Sequence, residues 1–220
     1  MTVVKDAIVK LGLEFEAFAK ENIAEDLFNE YSECINRALA KNNWFNPYFQ
    51  KIALSNWAFA LKEESVDEWL SEYDFGDTKA KKIGVIGAGN LPLVAFHDCI
   101  SVLISGNELH LKTSSEDEEL LPFVLKRLIA LEPSLASKIV FKEEYLKGLD
   151  ALIATGSNNS AKHFEYYFKD IPKIVRKNRT SIAVLNGNET DEELGLLAID
   201  MFTFYGRGCR SVSKILVPKG

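Results

Sequence analysis

From residue 82 onwards, short apolar runs typical of β-strands alternate with longer segments that have the apolar spacing of α-helices. The strand-like runs cover residues 82–86, 108–111, 139–141, 151–154 and 182–185. This alternation predicts a parallel sheet covered by helices on both faces, because each parallel neighbour needs a crossover connection. Before residue 79 the apolar residues recur at helical spacing. We therefore predict an α/β fold with a Rossmann-like parallel sheet, preceded by an all-helical N-terminal segment.

Local start signals place the helices of the N-terminal segment. The apolar tract over residues 5–39 is too long for a typical single helix, which predicts two helices or a broken one. Asn46 followed by Pro47 is typical of an N-cap with proline in the first helical turn. Ser65 and Glu68 have the spacing of a capping box, so we expect a further helix to begin there.

The second half of the chain is expected to hold helices over residues 91–104, 115–131 and 190–205. The second of these is placed by a capping-box spacing between Ser115 and Glu118. The last strand-like run, residues 214–217, has no later segment to pair with. We expect either that it pairs with an earlier segment or that the chain is a truncated or split product. Exposed apolar residues in this tail would promote self-association unless the tail folds back.

Composition excludes several classes of function. With 26 basic and 32 acidic residues the net charge is −6, which argues against general nucleic-acid binding. No apolar run approaches the roughly 18 residues that a membrane span needs, and the N-terminus has no signal-peptide core, so we expect a cytoplasmic protein. Cys34, Cys99 and Cys209 are far apart and form no metal-ligand spacing, so no metal site is predicted. Thiol chemistry would rest on a single cysteine.

Cys209 has the surroundings of a reactive thiol. It lies between glycines that expose the backbone, and Arg207 and Arg210 flank it. Nearby positive charge favours the thiolate, which is the nucleophilic form of cysteine. Cys99, in contrast, lies in an apolar run that is typical of a buried structural cysteine. The sequence therefore points to Cys209 as a catalytic nucleophile.

A glycine-rich turn, residues 84–89, follows the first strand-like run. Glycine allows a close approach of the backbone to a ligand and permits positive φ, but the order of the glycines is not the common dinucleotide fingerprint. A tight turn after a buried strand explains them equally well. Asn90 follows directly, and its amide could donate a hydrogen bond to an oxyanion. The alternative for Asn90 is a turn asparagine in the left-handed conformation.

Two further positions lie where parallel strands are predicted to end, which is where open parallel sheets bind cofactors. Lys112 closes a strand and could bind ribose hydroxyls or a 2′-phosphate, although a solvated lysine would look the same. Gly156 and Ser157 follow another strand and lead into a helix, whose free N–H groups could bind a pyrophosphate. Simple capping of that helix by Ser157 or Ser160 is the alternative.

These patterns divide the chain into three predicted parts. Residues 1–78 form a helical N-terminal segment, and residues 79–187 form a dinucleotide-binding, Rossmann-like domain. Residues 188–220 are expected to begin a catalytic domain that carries the Cys209 loop.

The order of the motifs resembles the aldehyde dehydrogenase superfamily and, more closely, the fatty acyl-CoA reductase family of the LuxC type. Residues 86–94 read Ile-Gly-Ala-Gly-Asn-Leu-Pro-Leu-Val, and a Ser-Gly-Asn step at 105–107 precedes the strand that ends in Lys112. Thr-Gly-Ser at 155–157 resembles the glycine-serine turn of that superfamily, and 205–210 resembles its cysteine loop. The resemblance covers nearly the whole chain.

This resemblance implies an acylating aldehyde dehydrogenase that reduces a fatty acyl thioester, either acyl-CoA or another carrier, to an aldehyde. Cys209 would carry the acyl group, and the Asn90 amide would stabilise the oxyanion. Lys112 with Gly156 and Ser157 would hold a nicotinamide cofactor. The full-length enzyme is expected to be a homo-oligomer.

The cofactor preference follows from one position within the resemblance. Many NAD-specific members have a glutamate three residues after the strand-ending lysine, whereas this chain has Ser115 there. A small hydroxyl leaves room for the 2′-phosphate that a carboxylate would repel. We therefore expect NADP(H) to bind better than NAD(H), provided that Glu116 points away from the ribose, into the first turn of a helix capped by Ser115.

Three departures from the family pattern bear on the reaction. Residues 184–187 read Val-Leu-Asn-Gly, so the glutamate that activates water in hydrolytic members is missing. Its absence suits an enzyme that hands an acyl group between thiols. Ala161 stands where a glycine is expected after Gly156. The family also continues well past the cysteine, and this chain does not.

Two other interpretations remain open at this point. The chain could be a non-catalytic fragment of such an enzyme that binds a cofactor or a partner. It could also be an unrelated Rossmann oxidoreductase or methyltransferase with an incidental cysteine.

Overall fold

The computed structural model describes residues 2–76, 79–142 and 146–219, and these form two compact units, Met1–Arg176 and Lys177–Gly220. The first unit contains the N-terminal helices and a five-stranded sheet, and the second contains two strands and a helix. The predicted three-part division of the chain stays a prediction.

The sheet of the first unit is entirely parallel and has the order β3-β2-β1-β4-β5. Its strands are β1 (Lys82–Ile86), β2 (Glu108–Lys112), β3 (Ile139–Phe141), β4 (Ala151–Thr155) and β5 (Lys173–Arg176). The chain moves outward from β1 to β3 and then returns to the opposite side of β1. Right-handed crossovers therefore place helices on both faces, which confirms the predicted α/β fold.

Seven helices surround this sheet in the part of the first unit that is described. They are α1 (Thr2–Ala19), α2 (Glu25–Lys41), α3 (Pro47–Ala60), α4 (Glu63–Ser71), α5 (Phe96–Ile104), α6 (Leu120–Leu131) and α7 (Asn158–Tyr167). The long N-terminal tract is two helices, as predicted. The Asn46 side chain accepts a hydrogen bond from the Tyr48 N–H at 2.8 Å and Pro47 begins α3, which confirms this N-cap.

The N-terminal helices share one hydrophobic core with the sheet and with α5 and α6. Phe15 of α1 contacts the rings of Tyr31 and Phe96. The Tyr31 hydroxyl donates to Glu14 at 2.7 Å, and Arg127 of α6 donates two hydrogen bonds to the same carboxylate, at 2.8 and 3.0 Å. Aromatic packing and this ion pair therefore join α1, α2 and α6.

Three predicted helix starts were wrong. Helix α4 begins at Glu63 and not at Ser65, and Asp67 of its first turns pairs with Lys5 of α1 at 2.5 Å. Helix α5 begins only at Phe96, because the preceding Leu93 has a left-handed backbone with φ of 61°.

The third correction concerns Ser115, which does not cap a helix. Helix α6 begins at Leu120, and the carboxylate of Asp117 accepts the Leu121 N–H at 3.2 Å. Strand β5 was not predicted at all. It is a short edge strand whose apolar residues are flanked by Lys173 and Arg176.

The second unit pairs β6 (Ser181–Val184) in parallel with β7 (Val212–Leu216), and α8 (Asp191–Phe202) connects them. The final strand thus pairs with an earlier segment. Helix α8 begins where it was predicted, and Thr190 and Glu193 form its capping box. The helix ends at Phe202 and does not reach residue 205, because Phe204 and Tyr205 have positive φ.

Within the described ranges, none of the helices combines the length and the apolar character that a membrane crossing requires.

Candidate functional site

Three of the predicted site segments leave the same edge of the sheet. Asn90 follows β1, Lys112 is the last residue of β2, and Gly156 follows β4. Strand β1 lies between β2 and β4, and all three run parallel. The structure therefore brings the loops of Asn90, Lys112 and Gly156 to the carboxyl edge of the sheet. This edge lies where the strand order reverses, which is the usual place for ligands in open α/β sheets.

The glycines after β1 serve close packing, and neither Gly87 nor Gly89 has positive φ. A Cβ atom on Gly89 would lie 2.5 Å from the Glu116 Cβ and 2.6 Å from the Ser114 Oγ. A side chain at residue 89 would therefore push the loop after β1 away from the loop after β2.

Asn90 is half-buried in the loop between β1 and α5. The left-handed residue of this loop is Leu93 and not Asn90, which removes the alternative of a left-handed turn asparagine. Asp117 accepts the Leu93 N–H at 3.1 Å. The Asn42 side chain donates to the carbonyls of Gly89, at 3.4 Å, and Glu116, at 3.2 Å.

Asn42 and Asp117 were missed as site residues by the sequence analysis. Asp117 lay inside the supposed capping box, in a run of acidic residues, so no local signal marked it as buried. Asn42, the C-cap of α2, has no local signal, because its partners lie 47 and 74 residues away.

A cleft of about 640 Å³ opens beside Lys112 at the ends of β2 and β3. Its polar lining includes Thr113, Ser115, Lys126 and Lys142. The cleft is also lined by Glu118 and Glu119, and each of these acids is paired with a cation of α2. Lys41 lies 2.7 Å from Glu118, and Arg37 lies 3.0 Å from Glu119. Because both acids are neutralised, the cleft favours an anionic ligand.

The loop that contains Ser115 has a different geometry from the predicted one, because the next helix begins only at Leu120. Ser114 organises the loop, since its hydroxyl accepts the Glu116 N–H at 3.2 Å and its carbonyl accepts the Asp117 N–H at 3.0 Å. Ser115 is exposed and lines the cleft. Glu116 belongs to the stretch that packs on Gly89.

The turn after β4 is held by its neighbours. The Gly156 N–H donates to the Arg176 carbonyl of β5 at 3.1 Å. Ser157 is the N-cap of α7, and its hydroxyl accepts the Ser160 N–H at 3.1 Å. Ala161, which stands at the expected glycine position, is fully buried. Ser157 therefore has the capping role that was its alternative interpretation, and the first turn of α7 faces the carboxyl edge of the sheet.

Cys209 lies in the second unit, in the turn that precedes β7, and it is exposed. Ser181 holds this turn by donating to the Cys209 carbonyl at 3.2 Å. Cys34 and Cys99 are both buried. Burial raises the pKa of Cys34 to about 12 and raises that of Cys99 well above its usual value. Of the three thiols, only Cys209 is open to an electrophile.

Glu189 is the acid nearest to the position where hydrolytic enzymes of the superfamily have a glutamate. Its carboxylate accepts the N–H groups of Asn186, at 2.5 Å, and Gly187, at 3.0 Å. The hydrogen bond from Asn186 is the main cause of its lowered pKa. A carboxylate that is occupied in this way is a poor general base.

Solved structures with the same fold belong to aldehyde dehydrogenases. An acetylating aldehyde dehydrogenase from Geobacillus thermoglucosidasius matches 98% of this chain and 51% of its own, with a TM-score of 0.70 and 12% identity. A propionaldehyde dehydrogenase from Rhodopseudomonas palustris with bound propionyl-CoA matches 97% of this chain and 50% of its own, with a TM-score of 0.65 and 12% identity.

A third solved structure, an NAD-dependent benzaldehyde dehydrogenase from Corynebacterium glutamicum, matches 96% of this chain and 50% of its own, with a TM-score of 0.68 and 15% identity. The chain therefore has the fold of aldehyde dehydrogenases. It spans about half the length of the solved structures that it matches.

Among proteins with the fold of aldehyde dehydrogenases, the sequence of this chain identifies one family. The sequence model of the acyl-CoA reductase (LuxC) family matches residues 53–220. The chain belongs to this family, as its motifs predicted. No curated protein matches the chain at a significant level.

Proposed function

We propose that the chain acts in the NADP(H)-dependent reduction of a fatty acyl thioester to an aldehyde, with an acyl intermediate on Cys209. The observation that carries the proposal is the exposure of Cys209 while Cys34 and Cys99 are buried. Membership of the acyl-CoA reductase family and the likeness to a dehydrogenase with bound propionyl-CoA support an acyl thioester as the substrate.

In the proposed reaction, the Cys209 thiolate attacks the carbonyl carbon of the thioester and a carbon–sulfur bond forms. The oxyanion accepts hydrogen bonds from the Asn90 amide and the Cys209 N–H. The oxyanion then collapses, the original carbon–sulfur bond breaks, and the carrier leaves as a thiolate that takes a proton from water. The reduced cofactor, when bound, supplies hydride to the acyl carbon. Cys209 then leaves as a thiolate, and the aldehyde is released.

The residues at the sheet edge fit a phosphorylated dinucleotide. Lys112, Lys126 and Lys142 line one cleft whose two acids are already paired. The turn at Gly156 precedes α7, whose first N–H groups could bind a pyrophosphate. Ser115 lines the cleft at the position that a glutamate has in NAD-specific relatives, so a 2′-phosphate would meet a hydroxyl and lysines.

The cofactor preference can be tested by calorimetric titration of NADP(H) and NAD(H) in parallel. We expect tighter binding of NADP(H), and we expect Lys112→Ala to weaken NADP(H) more than NAD(H). Lys10→Ala, an exposed lysine of α1, is the matched control and should change neither affinity. Tighter binding of NAD(H), or indifference of NADP(H) to Lys112→Ala, would contradict the preference.

The covalent step can be tested by intact-mass analysis after incubation with a long-chain acyl-CoA. We expect one acyl adduct per chain, located on Cys209 and removed when NADPH is added. Cys209→Ala should abolish the adduct. An adduct that persists in Cys209→Ala would exclude Cys209 as the acyl carrier, and its complete absence from the wild type would favour a non-catalytic binding role.

We also propose that the enzyme works as a homo-oligomer. Large apolar side chains of the second unit support this, since Val184 and Val217 are 76% and 68% exposed. Sedimentation analysis should find species larger than a monomer, and a monomer at high concentration would contradict the proposal.

A further inference from the structure

Asp117 is a buried carboxylate that the proposed reaction does not use. It lies between β2 and α6 and is 4% exposed. One carboxylate oxygen accepts the Leu93 N–H at 3.1 Å, and the other accepts the Leu121 N–H at 3.2 Å. A single buried side chain therefore joins the loop after β1 to the first turn of α6.

The hydrogen bond to Leu93 supports an unfavourable backbone conformation. The left-handed region is unfavourable for a residue other than glycine, because its Cβ atom comes too close to the following carbonyl oxygen. Leu93 keeps its φ of 61° while its side chain is 1% exposed. Its carbonyl accepts the Phe96 N–H at 3.1 Å, which turns the chain into α5. Burial of the side chain and the bond to Asp117 together hold this turn.

Asn90 lies between two such ties. On its N-terminal side, Asn42 joins the carbonyl of Gly89 to the carbonyl of Glu116. On its C-terminal side, Leu93 is bound to Asp117. Both ties end on neighbouring residues of the loop after β2, the same loop that follows Lys112. The position of Asn90 is thus defined relative to the cofactor side of the site.

We propose that Asp117 is the positioning residue of Asn90, and that its carboxylate fixes the turn at Leu93 so that the Asn90 amide stays aligned with the oxyanion. This inference rests on the proposed function, in which Asn90 donates to the oxyanion. Asp117 touches neither substrate nor cofactor and acts through the backbone of the loop.

Amide hydrogen exchange tests whether Asp117 holds the loop. In Asp117→Ala we expect the Leu93 amide to exchange at least about tenfold faster, while the β1 amide of Val85 is unchanged. Glu132→Ala is the matched control, because Glu132 also binds a backbone N–H of the first unit, that of Ser134 at 3.1 Å. An unchanged Leu93 amide, or equal acceleration at Val85, would overturn the inference.

A double-mutant cycle in the reductase reaction tests the link to Asn90. In the wild-type background, Asp117→Ala should lower kcat at least about tenfold and leave KM for the acyl thioester within about twofold. In the Asn90→Ala background, adding Asp117→Ala should cause no further decrease of kcat.

Two outcomes of the cycle would contradict different statements. An equal loss of kcat in both backgrounds would overturn the inference alone, because Asp117 would then act independently of Asn90. An Asn90→Ala variant with normal kcat would overturn the proposed role of Asn90 and this inference with it.

Discussion

The two units of the chain differ in how they bury apolar side chains. The first unit has a continuous core that includes Phe15, Phe96 and Leu103, all completely buried. In the second unit no residue from 177 to 219 is buried, and Phe202 is 65% exposed. The first unit therefore sets its geometry by packing, whereas the second depends on strand pairing and local hydrogen bonds.

This contrast separates two kinds of site. The loop of Asn90 is fixed by a buried carboxylate, a buried amide and close contacts of glycine. The loop of Cys209 is held by local hydrogen bonds, from Ser181 to the Cys209 carbonyl and from the Ser211 N–H to the Gly208 carbonyl, and Cys209 is exposed. The first unit thus holds the Asn90 loop in a defined position, whereas the second unit leaves Cys209 accessible to solvent.

The test with the largest expected effect compares the stability of two Phe→Ala variants, one in each unit. Phe96→Ala should lower the free energy of unfolding by about 3–5 kcal/mol, because it opens a cavity among Phe15 and Trp57. Phe202→Ala should change it by no more than about 0.5 kcal/mol, since the ring is mostly exposed. Urea denaturation measures both, and similar losses would show that the second unit has a core of its own.

A second test uses the buried charge of the first unit. Burial raises the pKa of Asp117 to about 6, above the unfolded value of 3.8, while the N–H groups of Leu93 and Leu121 oppose the shift. Its contribution to stability is therefore complete below about pH 3.8 and is lost as the pH rises through about 6. Burial is the main cause of the raised pKa values of the Cys34 and Cys99 thiols, and the charge of Asp117 raises both values further.

Asp117→Asn cannot titrate, so the wild type should lose stability relative to this variant between pH 4.5 and pH 7.5, by on the order of 2 kcal/mol. Paired thermal unfolding at the two pH values measures the difference. Glu132→Gln is a control of opposite sign, because hydrogen bonds from Ser134 lower the pKa of Glu132. A pH-independent difference for Asp117→Asn would contradict the raised pKa.

The test with the smallest expected effect compares how accessible the three cysteine thiols are to a labelling reagent. In the folded protein near neutral pH, iodoacetamide should label Cys209 at least about tenfold faster than Cys34 or Cys99, because both of these are buried with raised pKa values. In urea the three rates should converge. Labelling of Cys34 as fast as that of Cys209 in the folded state would count against a catalytic role for Cys209.

Most of the sheet could be predicted because its strands are continuous apolar runs bounded by turns. The position of Lys112 at a strand end and of Gly156 after another followed from the same pattern. The exception was β5, whose two apolar residues stand between charged ones and follow Pro172. An edge strand of this length carries too little periodic signal to be distinguished from a loop.

The ties at the site could not be predicted because they join distant parts of the chain. The capping-box spacing at Ser115 is a local pattern and predicted a helix start there. In the structure Asp117 instead accepts a hydrogen bond from Leu93, 24 residues earlier. The left-handed turn at Leu93 likewise depends on burial, not on a turn-forming residue. Sequence patterns therefore located the loops, and only tertiary contacts defined how they are held.

The amide of Asn42 has a practical consequence for anyone who trims or recombines this protein. The family match begins at residue 53, so a chain cut to the matched stretch would lack α1 and α2. It would lose the buried faces of both helices and the bonds from Asn42 to Gly89 and Glu116. Any chimera should therefore keep the amino-terminal helices together with the sheet, because the loop after β1 takes part of its shape from them.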